Sequence, residues 1–422
     1  YKSVLDIPEP VELAIIVVPA AAAPQVFRDC AQKKVKAAVV ISAGFAETDE
    51  DGKKLEEEIK AIAKESGMRF TGPNCNGHAD MHTRVSSVGF AGMIPAGPLA
   101  LLSQSGTLGA SIMQMAGDKG IGLSKFVATG NEADLRMEDF LEYLAQDDDT
   151  RIIATYIEGL REARRYYELA KKITKKKPII AMKSGTTGAS AKAALSHTGA
   201  LSGADTVYTA AFKQAGVIRV EDEEELCDVA LALRDLPLPR GNRIGILTIG
   251  GGFGVVTAEV CEKEGLEIVT LTPETLKKMA AILPPRWPPG NPVDLVGTRP
   301  MGGENIADKC LQYLLEDGNV DAVISLIPPM ILPHGPPGSI KPEQIRELLQ
   351  ESTERQKAVY RMLKEHDKPL VYIRRMNITA AVTYQKDWPD APPKTLIPEY
   401  THPRRAAHVL RYLAAYRKYL ES

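Results

Sequence analysis

Short apolar runs alternate with longer amphipathic segments along the whole chain, and this alternation limits the fold more than any single residue does. Val11 to Val18, Ala37 to Ser42, Met68 to Phe70, Leu99 to Leu102, Ser124 to Ala128, Ile152 to Ile157 and Pro178 to Met182 each read as a strand. Between them stand helical stretches such as Ala23 to Lys34, Asp51 to Ser66 and the segment from Met137. Strand, helix, strand in succession is the pattern of a parallel, doubly wound α/β sheet. The longer strands are apolar on both faces, as a sheet covered by helices on each side requires.

Two punctuated stretches divide this pattern. Pro95, Gly97 and Pro98 interrupt it once, and Pro237-Leu238-Pro239-Arg240-Gly241 interrupts it again. The 422 residues then fall into sections 1–94, 95–238 and 239–422, each near the roughly 100–200 residues of an ordinary domain. The third section partly repeats the second. Ile244 to Gly254 echoes Leu99 to Gly109, and Gly290-Asn291-Pro292-Val293-Asp294-Leu295 echoes Gly130-Asn131-Glu132-Ala133-Asp134-Leu135. Two related flavodoxin-like units account for the repeat. Further on, strands are expected at Val320 to Ile327 and Pro369 to Ile373, and helices from about Glu343 to His366 and from Pro403 to Leu420.

The chemistry collects at loops that follow strands. Lys183 to Gly203 is mostly small or hydroxylated and contains one histidine, His197. Connections of that length inside a compact domain are functional or disordered. Their hydroxyls and freely turning backbone N–H groups suit an anion. A neutral imidazole, with a pKa near ~6.5, is a good nucleophile at neutral pH, so His197 is read as the carrier of a phosphoryl group. Its ring needs an acceptor to hold one nitrogen, and Glu158, at the end of the Ile152 to Ile157 strand, is the candidate. The phosphoryl oxygens need N–H donors, which Ser105, Gly106 and Thr107 offer at a helix start. Gly72-Pro73-Asn74-Cys75-Asn76-Gly77 is turn chemistry at another strand end, where open α/β sheets bind ligands; taken alone it is a tight turn. A lone histidine is more often a surface residue, and the bland reading is kept for His78, His82, His334, His366, His402 and His408.

Composition excludes several classes. A net charge of −2 offers no electrostatic attraction to nucleic acid. No apolar run reaches the ~18–20 residues of a membrane helix, and no signal peptide is visible. The five cysteines are scattered, odd in number and free of C-x-x-C, against both a disulfide framework and a zinc site. A cytoplasmic protein with no metal site, no nucleic-acid partner and no membrane partner is expected.

On these residues the chain resembles the alpha subunit, or alpha portion, of the nucleoside-diphosphate-forming acyl-CoA synthetases. It looks close to the ADP-forming acetate-CoA ligases and is more distantly similar to succinyl-CoA synthetase alpha. The carriers are G-P-N-C-x-G at Gly72 to Gly77, S-x-S-G-T at Ser103 to Thr107, the strand-end Glu158, and Ser196-His197-Thr198-Gly199. The resemblance covers essentially the whole chain. It implies an α/β protein: a truncated Rossmann-like CoA-binding domain followed by two flavodoxin-like, succinyl-CoA synthetase-like domains. The family's first βα unit with its glycine-rich turn is lacking, so the sequence is expected to begin inside a domain.

The implied reaction is acyl-CoA + ADP + phosphate ⇌ carboxylic acid + CoA + ATP, through an acyl phosphate and a phosphohistidine. By the resemblance, His197 is phosphorylated, Glu158 orients its ring, and Ser105, Gly106 and Thr107 hold the phosphate. Asn74 and Cys75 lie near the CoA thiol, and Pro19 lies along the CoA. ADP or ATP and Mg²⁺ belong to an ATP-grasp beta subunit or fused domain, giving a hetero-oligomer of two alpha and two beta chains, or a homodimer if fused. The alternative is a synthetase-like CoA-binding regulatory module, such as that of a protein acetyltransferase; His197 together with Glu158 favours the enzyme. A dinucleotide-binding oxidoreductase is disfavoured, because no complete G-x-G-x-x-G opens a unit.

Overall fold

A computed structural model of the chain describes residues 1–88, 94–186, 205–296, 305–327, 342–374 and 397–422. His197 and most of its loop, and most of the proline-rich stretch after Ile327, lie outside the described residues. The chain divides into two compact units, Tyr1–Ala230 and Leu231–Ser422.

The first unit holds two sheets. In the smaller, β1 (Leu13–Ile16), α1 (Ala23–Lys33), β2 (Ala37–Val40), α2 (Glu50–Ser66) and β3 (Arg69–Thr71) alternate, and the three strands run parallel in the order β1-β2-β3. Phe27 of α1 packs edge-on to Phe70 of β3, ring centroids 5.3 Å apart, with Ile59 and Ala63 of α2 in the same core. Asp49 caps α2 by accepting from Gly52 N at 2.8 Å.

The larger sheet contains β4 (His78–Asp80), β5 (Val85–Ser86), β6 (Ala96–Ser103), β7 (Leu123–Ala128), β8 (Ile152–Ile157), β9 (Ile179–Lys183) and β10 (Ile218–Val220). Between and after its parallel strands come α3 (Gly106–Asp118), α4 (Met137–Gln146), α5 (Ala163–Ile173), α6 (Asp205–Ala215) and α7 (Glu223–Asp235). The strand order is β10-β9-β8-β6-β7-β4-β5. Every residue of β7 and β8 is buried, because helices cover both faces. From β6 the chain steps to β7 on one side, then returns to β8 on the other. The order reverses at β6, and an open α/β sheet has its crevice at the carboxyl ends around such a reversal.

The β4–β5 hairpin departs from the wholly parallel sheet that the sequence suggests. β4 pairs antiparallel with β7, His78 against Val127. Its strands are too short and too polar to show a period, and pairing of β4 with β7, and of β5 with β4, is what makes them strands.

The second unit repeats the topology. Its strands are β11 (Arg243–Thr248), β12 (Glu267–Ile268), β13 (Val293–Asp294), β14 (Ala322–Ser325), β15 (Leu370–Ile373) and β16 (Glu399–Tyr400). Its helices are α8 (Gly251–Lys263), α9 (Pro273–Ala280), α10 (Ile306–Glu316), α11 (Pro342–His366) and α12 (Pro403–Glu421). The parallel order is β12-β11-β14-β15-β16, with β13 also on β11. Of these helices, α9 and α10 are ones the sequence reading did not place. Pro403 stands at the first position of α12, where its missing N–H costs nothing.

At the start of β11, Arg243 and the buried Asp321 form a two-pronged pair, Nη2 to Oδ1 at 2.8 Å and Nε to Oδ2 at 2.9 Å, while Arg243 N donates to Oδ2 at 3.1 Å. Burial by itself would raise the Asp321 carboxyl. The Arg243 guanidinium and backbone N–H outweigh it and hold the carboxyl below the ordinary value. Stability from a depressed pKa is present above the unfolded value and is lost as pH falls through the folded one. Asp321→Asn therefore destabilises the second unit by about 1–2 kcal/mol near neutral pH, and the deficit shrinks below about pH 4. Urea unfolding of both proteins across that range is the check.

Candidate functional site

Parallel pairing brings four strand ends of the larger sheet level. Ser103 of β6 lies opposite Ala128 of β7 and Tyr156 of β8, and Ile157 lies opposite Lys183 of β9. The loops leaving this edge are Gln104 to Ser105, Thr129 to Arg136, Glu158 to Glu162, and the loop from Ser184 toward His197. Ser105, Gly106, Thr107 and Glu158 therefore share one edge with the start of the His197 loop. His197 itself lies outside the described residues.

Ser105 is the N-cap of α3, extended at φ −94° and ψ 122°, and its hydroxyl accepts from Leu108 N at 3.3 Å. That leaves the first-turn N–H groups of Gly106 and Thr107, which no helix can satisfy internally, to carry the partial positive charge of the helix start. Gly106 is required by contact, since a Cβ there would stand 2.8 Å from Asn76 Cβ. The Asn76 amide also donates to Gly106 O at 3.2 Å.

Backbone bonds hold Glu158. Gln104 Oε1 accepts from Glu158 N at 2.5 Å and Gly159 N at 3.0 Å, and Gln104 Nε2 donates to Gly159 O at 2.7 Å. From the other side Lys183 Nζ donates to Glu158 O at 2.8 Å and to Ser184 O. Lys183 also lies 4.8 Å from the centre of the Tyr208 ring. Burial, then the Arg219 charge, lowers the Lys183 pKa from its ordinary value. Tyr156 beside it is pushed up, by burial first, with the Glu158 charge adding to the rise.

The smaller sheet presents its own carboxyl edge to this one. Pro19 follows β1, and just before it Val18 N donates to Ser42 Oγ at 2.9 Å. Asn74, after β3, donates its N–H to Ser42 O at 2.8 Å. The turn from Gly72 then meets the Gly130 to Asp134 loop of the larger sheet. Asn131 N donates to Pro73 O at 2.9 Å, Ala133 N to Gly72 O at 3.0 Å, and Asn74 Nδ2 to Asn131 Oδ1 at 3.3 Å. Asn131 in turn donates to Glu47 at 2.5 Å and to buried Glu56 at 2.9 Å. Residues singled out separately in the sequence, Asn74 and the Ser105 to Thr107 helix start, are thus linked through Asn131, Gly130 and Asn76.

Cys75 is placed differently from its neighbours. It is buried beneath the turn, its thiol donating to Val40 O at 3.3 Å, and burial pushes its pKa up to about 11. At neutral pH it is a packed thiol and not a nucleophile. Pro19 is exposed at the edge. Sequence reasoning assigned no role to Gln104, Asn131, Glu132 or Lys183. The loop holding Asn131 and Glu132 was visible as a repeat, but a side-chain amide that binds a distant backbone leaves no periodic trace.

Among the described residues no helix is long and apolar enough to cross a membrane. The family model for a succinyl-CoA ligase like flavodoxin domain matches residues 96–233, that for a CoA binding domain residues 1–80, and that for a ligase-CoA domain residues 244–334. The chain is 44% identical over 326 residues to the alpha subunit of acetate–CoA ligase [ADP-forming] II of Pyrococcus furiosus, a match covering 77% of this chain and 70% of that subunit. To the alpha subunit of ligase I of the same organism it is 47% identical over 298 residues, covering 70% of this chain and 64% of that one. Its structure is similar to a dinucleotide-forming acetyl-coenzyme A synthetase 1 of Ca. Korarchaeum cryptofilum in complex with phosphate and ADP. The TM-score is 0.80 at 30% identity, over 100% of this chain and 86% of that one.

Gly130 has φ +60°, and a Cβ there would stand 2.3 Å from Pro73 O and 2.7 Å from Asn74 O. Gly130→Ala must strain the left-handed backbone and part the two loops together, at a cost of about 1–3 kcal/mol. Thermal unfolding followed by circular dichroism should show a midpoint lower by several degrees, at roughly 2–4 °C per kcal/mol.

Proposed function

We infer that this chain, which belongs to the family of ADP-forming acetate–CoA ligase alpha subunits, is the acyl- and phosphoryl-transferring component of an ADP-forming acyl-CoA synthetase. Its reaction is acyl-CoA + ADP + phosphate ⇌ carboxylic acid + CoA + ATP. The observation that carries the reading is the shared carboxyl edge of the larger sheet. An open helix start, a glutamate pinned by its peptide and the entry to the His197 loop all stand on that edge. The names of the relatives favour the enzyme over a regulatory CoA-binding module.

The steps follow from the chemistry of each group. Phosphate attacks the thioester carbonyl, the C–S bond breaks, and an acyl phosphate and the CoA thiol result. The His197 imidazole then takes the phosphoryl group as the P–O bond to the carboxylate breaks, releasing the acid. ADP accepts the phosphoryl group from the histidine, forming ATP and restoring the ring.

Each residue has a part in that sequence. Gly106 and Thr107 supply first-turn N–H donors to the phosphate oxygens, and Ser105 fixes their direction as the cap. Glu158 accepts from one ring nitrogen of His197, so that the other presents its lone pair. Asn74 and Pro19 line the edge along which CoA lies, and the buried Cys75 supports the turn from beneath. ADP or ATP with Mg²⁺ binds an ATP-grasp subunit or fused domain, the two parts forming a cytoplasmic hetero-oligomer or a fused homodimer. The domains are 1–94 for CoA, 95–238 for the histidine loop and 239–422 for the second flavodoxin-like unit. Acetate is the first acid to assay, since both of the relatives described above are named for it.

The test is to mix the chain and its ATP-grasp partner with γ-labelled ATP and Mg²⁺. Acid-labile, base-stable label on the wild-type chain, absent from His197→Ala, is expected. Label that persists in His197→Ala, or a folded nucleotide-bound complex that takes none, overturns the reading.

A further inference from the structure

Lys183 is a buried side chain at the end of β9 that the steps above do not use. It is 7% exposed, and burying an ammonium is costly unless polar groups take up its charge. Two backbone carbonyls and an aromatic face do so here. Nζ donates to Glu158 O at 2.8 Å and to Ser184 O, and it stands 4.8 Å from the centre of the Tyr208 ring. An ammonium has three N–H donors and no acceptor, so one side chain can bind both carbonyls at once.

The two carbonyls lie where the sheet stops holding the chain. The ladder between β8 and β9 pairs Ile157 with Lys183, and its last rung among the described residues runs from Ser184 N to Ile157 O at 3.0 Å. Past that rung one chain continues through Glu158, Gly159 and Leu160, while the other turns at Gly185, φ +73°. Lys183 Nζ joins them one step beyond the reach of the backbone bonds. Glu158 is gripped from its other side as well, since Gln104 Oε1 accepts from Glu158 N and Gly159 N, and the Tyr208 hydroxyl accepts from Leu160 N at 3.4 Å. Side chains thus hold both the N–H and the C=O of Glu158, which fixes the direction in which its carboxylate leaves the backbone.

We propose that Lys183 is a positioning residue for phosphoryl transfer: by tying the Glu158 carbonyl to the Ser184 carbonyl it aims the Glu158 carboxylate and fixes where the histidine loop leaves the sheet. With two of its donors on these carbonyls and its charge against Tyr208, it acts through Glu158 and not on the phosphate itself. This rests on the proposed phosphohistidine chemistry, but the clamp also predicts a signal that needs no catalysis. Without it the amides of Ser184 and Glu158, at the strand ends, should exchange hydrogen faster relative to those of Ala154 and Ala181, in mid-strand.

The experiment uses the full chain with its ATP-grasp partner and compares the wild type with Lys183→Met, Lys183→Arg, Glu158→Gln and the double variant of Lys183→Met with Glu158→Gln. Met keeps the length of the side chain without its donors, Arg restores donors, and Lys183→Gln replaces Lys183→Met should the latter not fold. Labelling from γ-labelled ATP and Mg²⁺ should be roughly 10–100-fold slower in Lys183→Met with the nucleotide KM unchanged, and Lys183→Arg should recover most of the loss. In the Glu158→Gln background the same Lys183→Met change should cost less than about 3-fold, because groups that act as one unit are not additive. Equal losses in the two backgrounds overturn the proposal. So does wild-type labelling by a folded Lys183→Met or by Glu158→Gln, a Lys183→Arg no faster than Lys183→Met, or an unchanged exchange ratio at Ser184 and Glu158. A wild type that never labels refutes the phosphohistidine reading alone, and the amide exchange still decides whether Lys183 clamps the two strand ends.

Discussion

The contact between the Gly72–Asn74 turn and the Gly130–Asp134 loop is the constraint on which the candidate site depends. Two sheets with separate cores each end in loops at a carboxyl edge, and each edge alone offers only part of a binding surface. Hydrogen bonds from Asn131 N and Ala133 N to the turn carbonyls join the edges backbone to backbone. A contact that close excludes side chains, so Gly130 is where the chain has none. Main-chain pairing of this kind does not slip as side chains do, and it sets Asn74 against the loop that also carries Glu132.

Around that join the polar groups are buried in linked sets. Asn131 lies between Glu47 and Glu56, Gln104 grips the backbone at the end of β8, and Lys183 holds the Glu158 carbonyl. Each set places charge where water is scarce, which strengthens its hydrogen bonds and raises the cost of leaving any one unmade. A hydrophobic core of the same volume would be more stable, but it would not aim N–H groups and a carboxylate at a common point. The cost is borne by the buried strands β6 to β8, whose side chains form the large apolar core beneath.

Much of this could be read in advance, and the limits have physical reasons. The strands β6, β7 and β8 are buried on both faces, so their composition alone marks them. Pro403 and the S-x-S-G-T helix start are local signals, because capping involves groups only a few residues apart. The β4–β5 hairpin left no such signal, since its pairing partner β7 begins 43 residues after the end of β4. Gln104 and Lys183 were quoted within motifs but given no role, because the Glu158 backbone they hold is brought near only by strand order.

The sequence by itself determined the alternation of strands and helices, the repeat that makes two flavodoxin-like sheets, and which loops are rich in small and hydroxylated residues. Periodicity and turn chemistry act over a few residues, so they survive in a linear string. Only the tertiary structure decided that β6 lies between β7 and β8, that the two carboxyl edges meet at Gly130, that Cys75 is packed away, and that Gln104 grips the backbone at the end of β8. Those facts depend on which distant strands pair and on what is lost to water when they do, and neither is written in any one stretch of the chain.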